Sequence, residues 1–160
     1  MNDSRVDIPQ VFRFTDHEAL VNVWWTGTLM KRMARRFFRK SRISEAEFNL
    51  LLVLRHATTA LSQSDLSERL LVDKSNVTAL IDRLESEELI RREVDPEDRR
   101  RYHVVLTDAG RDQIDTIDPA YHEMVSAVMK ELSTNECKTL IRLTRNLRQG
   151  LVKAESELSS

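Results

Sequence analysis

Glycine, proline and cysteine are scarce in this chain of 160 residues, which holds three glycines (Gly27, Gly110, Gly150), three prolines (Pro9, Pro96, Pro119) and one cysteine, Cys137. The glycines lie too far apart to assemble a glycine-rich phosphate loop, which excludes nucleotide-cradling folds of that kind. A single thiol can form neither an intrachain disulfide nor a four-thiolate zinc site, so the chain is no disulfide scaffold and its context reads as reducing. A net basic field is missing too: 25 Lys and Arg face 26 Asp and Glu, a formal charge of −1, and any nucleic-acid surface must be local. The longest uncharged apolar-leaning run, Ala19 to Met30, has 12 residues against the roughly 20 that span a bilayer, so no membrane partner is expected. The opening residues, Met1-Asn2-Asp3-Ser4-Arg5-Val6-Asp7, carry acids where a signal peptide carries bases, and the expected location is the cytoplasm. The length suits one domain, or one small domain with appended helices.

What is abundant is helix-forming sequence, with 32% charged residues and legible start signals. A hydroxyl followed three residues later by an acid occurs at Thr15 and Glu18, Ser44 and Glu47, Ser62 and Asp65, and Ser133 and Glu136. In such a box the hydroxyl accepts from an orphan backbone N–H while the acid reaches back to another and opposes the helix dipole. Asp73 and Thr107 are further cap candidates. Apolar residues succeed these caps at helical spacing: Val77, Leu80, Ile81 and Leu84 form one stripe, and Ile114, Ile117, Tyr121, Met124, Val125, Val128 and Leu132 a longer one. Leu140, Leu143, Leu147 and Leu151 repeat the pattern near the C-terminus. A helix of roughly 25 residues is about 37 Å long, more than a small domain is wide, so these stripes predict a homodimer. Pro119 predicts a bend near Asp118 without ending its helix.

Between residues 90 and 106 the period changes. Ile90 to Val94 and Arg101 to Leu106 are rich in β-formers and read as two strands, joined by Asp95-Pro96-Glu97-Asp98-Arg99-Arg100, a turn-forming run. Loose ends are expected at residues 1 to about 12 and after about 155. The order is one long helix, three shorter helices, a hairpin and two long helices. This is the winged helix-turn-helix order, a mainly α fold with a two-stranded β wing.

A helix-turn-helix reader needs a positioning helix, a tight connection, and a second helix whose first residues are small and polar enough to reach base edges. Ser62 to about Leu71 and Asp73 to about Glu88 fit. Lys74, Ser75, Asn76 and Thr78 head the second helix, with Ala79 beside them; Asn can bond adenine in bidentate fashion, Ser and Thr serve base or phosphate, and Lys supplies a cation. Ser62, Gln63 and Ser64 could offer N–H and hydroxyl donors to a phosphate at the positive end of the first. Arg99, Arg100 and Arg101 lie at the hairpin tip, and Arg favours the narrow minor groove.

The run from Asp73 to Glu85, then Leu89-Ile90-Arg91-Arg92, Asp95 to Arg100 and Leu106-Thr107-Asp108-Ala109-Gly110 resembles the MarR family of bacterial transcription regulators. The motifs cover about residues 62 to 110. The resemblance implies a homodimeric regulator, most often a repressor, on double-stranded DNA carrying a pseudo-palindromic operator. It implies Lys74, Ser75, Asn76 and Thr78 in the major groove and Arg100 in the minor groove, held by Asp98. It also implies a small anionic or aromatic effector in a cleft beside the dimerisation helices. The corresponding division is 1–42 as an N-terminal dimerisation helix and tail, 43–106 as the DNA-binding domain and 107–160 as C-terminal dimerisation helices. Ala79 replaces a frequent family Arg. Glu88 stands where glycine usually ends the recognition helix, so the exit to Leu89 must be made without the residue that permits the left-handed conformation, which is expected to change the turn and not the fold. From Asp73 to His103, seven cations against nine acids leave −2, so the acids should mostly face away from DNA. The alternative is a protein-docking winged helix without a DNA role.

Weaker signals have plain readings beside them. Lys31, Arg32, Arg35, Arg36, Arg39, Lys40 and Arg42 form an acid-free cationic run that suits a solvated stripe, a phosphate-attracting face or an anionic effector. Trp24 and Trp25 lie about 100° apart on one helix; packing explains both, and one of them is a weak candidate for the effector cleft. Cys137 reads as an incidental thiol. Asp118, His122 and Glu123 have an admissible but common metal spacing, while His17, His56 and His103 are scattered, so no metal site or cofactor is expected. No nucleophile, base and orienting acid recur at a recognisable spacing, so no enzyme is expected either.

Overall fold

The computed structural model describes residues 6, 8, 10–70, 74–96, 98 and 100–158, with the backbone alone for Lys74. The chain runs α1 (Thr15–Phe38), α2 (Glu45–Arg55), β1 (Leu61–Ser62), α3 (Gln63–Leu70), α4 (Lys74–Ser86), β2 (Ile90–Val94), β3 (Tyr102–Leu106), α5 (Asp108–Met129) and α6 (Thr134–Leu158). It is mainly helical around a small antiparallel sheet. Contacts divide it into two compact units, Met1–Ile114 and Asp115–Ser160, with α5 running from the first into the second.

Local chemistry starts three of the helices as expected. The Ser44 hydroxyl accepts from the Glu47 N–H at 3.3 Å, while the Glu47 carboxylate accepts from the Ser44 N–H. Ser62 and Asp65 exchange the same pair of bonds at 3.2 and 2.8 Å, and Ser133 and Glu136 at 3.4 and 2.8 Å. Hydrogen bonds from Ser62 hold the Asp65 carboxyl below its ordinary range, and those from Ser133 do the same for Glu136. Thr15 departs from the expectation. It is already the first residue of α1, and the cap is Phe14, extended and without a side-chain bond. Asp16 takes the His17 N–H at 2.8 Å, and the Glu18 N–H donates to the Phe14 carbonyl, so the start moves one residue up the chain. Asp73 lies outside the described residues.

The hairpin has the expected strands, in a register running from Ile90 opposite Leu106 to Val94 opposite Tyr102. The sheet they form has a third strand that the sequence did not reveal. β1 pairs with the other edge of β3, Leu61 opposite Val104 and Ser62 opposite His103, giving the order β1-β3-β2. Two residues are too few for a period of two to register in a sequence, and Ser62 is also the α3 cap, which masked the strand.

The stripe of α4 is the heart of the first unit. Val77, Ile81 and Leu84 are completely buried, together with Phe48, Leu50, Leu51, Leu66 and Ile114, while Leu80 is half-buried at its margin. At about 1.5 to 3 kcal/mol per fully buried aliphatic side chain, this cluster outweighs any cap or ion pair nearby.

The exit from α4 overturns the expectation for Glu88. Its φ is 58°, the left-handed region. The Leu89 N–H donates to the Leu84 carbonyl and the Glu88 N–H to the Glu85 carbonyl, both at 2.9 Å. This is a Schellman ending with glutamate at the glycine position. Packing and hydrogen bonds around the turn hold it there. Leu84 and Leu89 are both buried, the Thr107 hydroxyl donates to the Glu88 carbonyl at 2.7 Å, and the Thr107 N–H donates to the Leu89 carbonyl at 3.2 Å. Thr107 also caps α5, its oxygen accepting from the Gly110 N–H at 3.0 Å. A Cβ on Gly110 would sit 2.1 Å from the Leu89 carbonyl oxygen, so only glycine permits this approach.

In the second unit α5 continues past Pro119 to Met129, and α6 runs on to Leu158, further than the expected loose end. No residue of α6 is buried: Leu140, Ile141, Leu143, Leu151 and Val152 are all exposed. Among the described residues no helix is long and apolar enough to cross a membrane.

Candidate nucleic-acid interface

The start of α3 is bolted to the start of α4, because the Gln63 side-chain amide donates to the Thr78 hydroxyl. With Leu66, Ser67 and Val77 turned inward, Ser64, Ser75, Asn76 and Ala79 are left on the exposed side. Ser62, Gln63 and Thr78 are half-buried. Ser62 is occupied: its N–H and its hydroxyl both donate to Asp65, at 2.8 and 2.7 Å. In this conformation it serves as a cap, and its donors are directed at an acid. The side chain of Lys74, together with Arg99, lies outside the described residues.

Several of the acids between residues 73 and 103 are paired within the fold. Arg92 of β2 pairs with both Asp82 and Glu85 of α4, and its N–H donates to Glu85 at 2.9 Å. Arg91 pairs with Glu93 at 2.6 Å. Arg83 reaches Glu47 of α2 at 2.8 Å and Glu87 at 3.4 Å. Glu47 is almost completely buried and also closes the α2 capping box, so Arg83 binds two helices together and is not a free cation. The exposed pairs among these, Arg91 with Glu93 and Arg83 with Glu87, contribute about 0 to 1 kcal/mol each. Their larger effect is on the field. The acids along the body and far end of α4 are engaged by Arg83 and Arg92, while its first turn contains no acid. A helix N-terminus carries roughly half a positive charge, so that end stays receptive to phosphate.

The wing tip is built by its own backbone. The Asp95 N–H donates to the Arg101 carbonyl at 3.0 Å and the Arg101 N–H to the Asp98 carbonyl at 2.8 Å. The Asp98 carboxylate accepts from the Arg100 N–H at 3.0 Å and stands 3.7 Å from the Arg100 guanidinium, which is 95% exposed. Asp98 thus holds the arginine more firmly by its backbone than by its charge. Asp95, which opens the turn and was expected to accept backbone hydrogen bonds there, completes it together with His103, which the sequence did not single out for this role. His103 Nε2 lies 2.8 Å from one oxygen of Asp95, and the other accepts from the Asp98 N–H at 3.2 Å. The strand alternation around Tyr102 and Val104 placed His103 on the opposite face, but no spacing rule ties it to Asp95.

The cationic run from Lys31 to Arg42 is exposed at all seven positions, with Ala34 and Phe38 buried on the other side. Trp25 lines an open groove of about 500 Å³ with Leu29, Met33, Arg32 and Arg36, whereas Trp24, 77% exposed, does not line it. Cys137 is half-buried, its sulfur 3.9 Å from the Leu132 carbonyl. Among the described residues no three His, Cys, Asp or Glu side chains form a group that could hold a metal ion.

A positioning helix, a second helix with an exposed polar first turn and an arginine-tipped hairpin define a winged helix-turn-helix reading head. The MarR family model matches residues 43–102, the span from just before α2 to the first residue of β3. YdgJ of Bacillus subtilis (strain 168), an uncharacterized HTH-type transcriptional regulator, is 32% identical over 114 residues, covering 71% of this chain and 69% of its own length. The HTH-type transcriptional repressor YetL of the same organism is 28% identical over 135 residues, covering 84% and 81%. The S. aureus MepR–DNA complex has the same fold, with a TM-score of 0.73 at 22% identity over 82% of this chain and 95% of that one. The chain belongs to the MarR family and is a DNA-binding transcriptional regulator.

Proposed function

We propose that two copies of this chain act as a cytoplasmic, ligand-responsive repressor without enzymatic activity, reading a pseudo-palindromic operator. The carrying observation is the acid-free first turn of α4, with Ser75 and Asn76 exposed and Gln63 fixed against Thr78, on the same small fold as an outstretched Arg100. Ser75, Asn76, Thr78 and Lys74 enter the major groove, Asn76 bonding an adenine edge. Gln63 and Ser64 meet a phosphate at the α3 N-terminus, where Ser62 contributes by fixing the helix start. Arg100, backed by Asp98 and accompanied by Arg99, enters the minor groove.

Dimerisation uses the faces a single copy leaves bare: α6, without a buried residue, and the apolar residues Leu20, Val23 and Met30 of α1. Residues 1–42 and 107–160 then serve as the dimerisation elements around the DNA-binding segment 43–106. A small anionic aromatic effector fits the groove beside Trp25, where Arg32 and Arg36 supply charge and the indole a flat face.

Selection of bound duplexes from a random library, followed by affinity against salt, tests this reading. Log K should fall steeply with log salt, Arg100→Ala should lower the slope while weakening binding broadly, and Asn76→Ala should relax preference at one base pair by about 1 to 3 kcal/mol. A protein-docking module would show no salt-steep duplex affinity, and an Asn76→Ala variant with the parental preference at every base pair would remove that residue from the reading.

A further inference from the structure

The wing arginine is tied to the sheet through a chain of contacts that starts at a histidine. His103 lies in the central strand β3, opposite Glu93 of β2 and Ser62 of β1. Its Nε2 stands 2.8 Å from Asp95, and both side chains are largely shielded. The carboxylate can only accept, so the imidazole proton in this contact sits on Nε2. The second oxygen of Asp95 accepts from the Asp98 N–H, and the Asp98 carboxylate accepts from the Arg100 N–H. The Arg100 side chain itself is almost wholly in solvent. The turn between β2 and β3 is therefore braced at its base by one donor from the rigid strand. Without that donor, Asp95 would keep the Asp98 N–H but lose the side chain that ties its carboxylate to β3.

We infer that His103 is a positioning residue for DNA binding, acting through Asp95 and Asp98 to hold Arg100 where the minor groove can receive it. This rests on the reading that Arg100 contacts DNA. A flexible arginine loses rotamer freedom on entering the groove, and a turn fixed beforehand reduces what must be ordered at that moment. A side chain that never touches DNA thus raises affinity by the order it imposes on one that does. The same strand residue pairs with the Ser62 backbone at the head of α3, so the brace joins the wing to the element beside the other phosphate-facing helix end.

The test uses the full chain and a duplex that the parent binds, with affinities at one pH and salt for His103→Leu, His103→Gln, Arg100→Ala and the double variant His103→Leu with Arg100→Ala. His103→Leu should weaken binding at least fivefold. His103→Gln, whose amide N–H can still donate to Asp95, should bind within twofold of the parent. On the Arg100→Ala background, His103→Leu should cost less than twofold more, because the residue it positions is gone. Parental affinity in His103→Leu, a loss in His103→Gln equal to that in His103→Leu, or full multiplication with Arg100→Ala would each overturn the inference. Should His103→Leu fail to fold, Asp95→Ala, which can neither accept from nor donate to His103, carries the same expectations of a fivefold loss and of non-additivity, and parental affinity there would overturn the inference as well. Failure of the underlying reading looks different: the parent would bind no duplex, or Arg100→Ala would be silent, and the inference would fall with it.

Discussion

The two units of this molecule are stabilised in opposite ways. The unit ending at Ile114 contains the interlocked core of Phe48, Leu51, Leu66, Ile81 and Leu84, cross-element pairs such as Arg83 with Glu47 and Arg92 with Asp82 and Glu85, and a shared backbone joint at Thr107. The later unit contains α6, in which no residue is buried and Leu140, Leu143 and Leu151 are exposed. Most helical stability comes from packing an apolar face, since isolated helices are marginal in water. The contrast teaches that the reading head is completed by its own sequence, whereas the long helices leave apolar residues bare, the faces proposed above for a second copy.

Four changes would break or sharpen this contrast. The largest effect is expected from Gly110→Ala. The added methyl must displace the Leu89 carbonyl and Leu106, loosening the first unit by about 3 kcal/mol or more in urea unfolding. Next is Leu143→Arg on the exposed face of α6. It should convert the dimer to monomer in sedimentation, by about 2 kcal/mol or more, while the circular dichroism of the folded reading head persists. If the variant unfolds the first unit instead, the two regions are not independently stabilised.

Smaller and opposite in sign is Glu88→Gly. A non-glycine residue at φ 58° costs about 1 to 2 kcal/mol, and glycine costs about 0.5 to 1 kcal/mol in unfolded-chain entropy, so the melting temperature should rise by the equivalent of about 0.5 to 1 kcal/mol. The smallest effect is acidic and common to both regions. Asp65 and Glu136 are held below the ordinary carboxylate range by their serine partners, so each contributes its stability in full above about pH 4.5 and loses it as pH falls through the lowered value. Asp65→Asn should therefore differ from the parent at pH 6 and converge with it toward pH 2 in a stability titration.

Much of the reading head was legible from residues alone. The capping boxes at Ser44, Ser62 and Ser133, the apolar stripe of α4 and the hairpin from Ile90 to Leu106 are local signals, determined within a few residues of themselves. The exposed positions of Ser64, Ser75, Asn76 and Arg100 were legible from a helix start and a turn, whereas Ser62 at the same helix start is taken up as a cap. What escaped was non-local. β1 exists because Leu61 meets Val104 across 43 positions of sequence, Arg83 finds a buried Glu47 on another helix, and His103 finds Asp95 only once the hairpin closes. Thr15 was misread because the helix cap falls one residue earlier, at Phe14, and Asp16 takes the His17 N–H.

Composition and order determined that this chain would be a largely helical DNA regulator without a nucleotide loop or a disulfide framework, because periodicity and caps act over one or two helical turns. Tertiary structure alone decided which charges would be used up in pairs and which left facing outward, and that Glu88 would accept a conformation its side chain opposes. Those outcomes depend on groups distant in sequence coming within about 3 Å of each other, the ordinary reach of a hydrogen bond, and no local pattern encodes that distance.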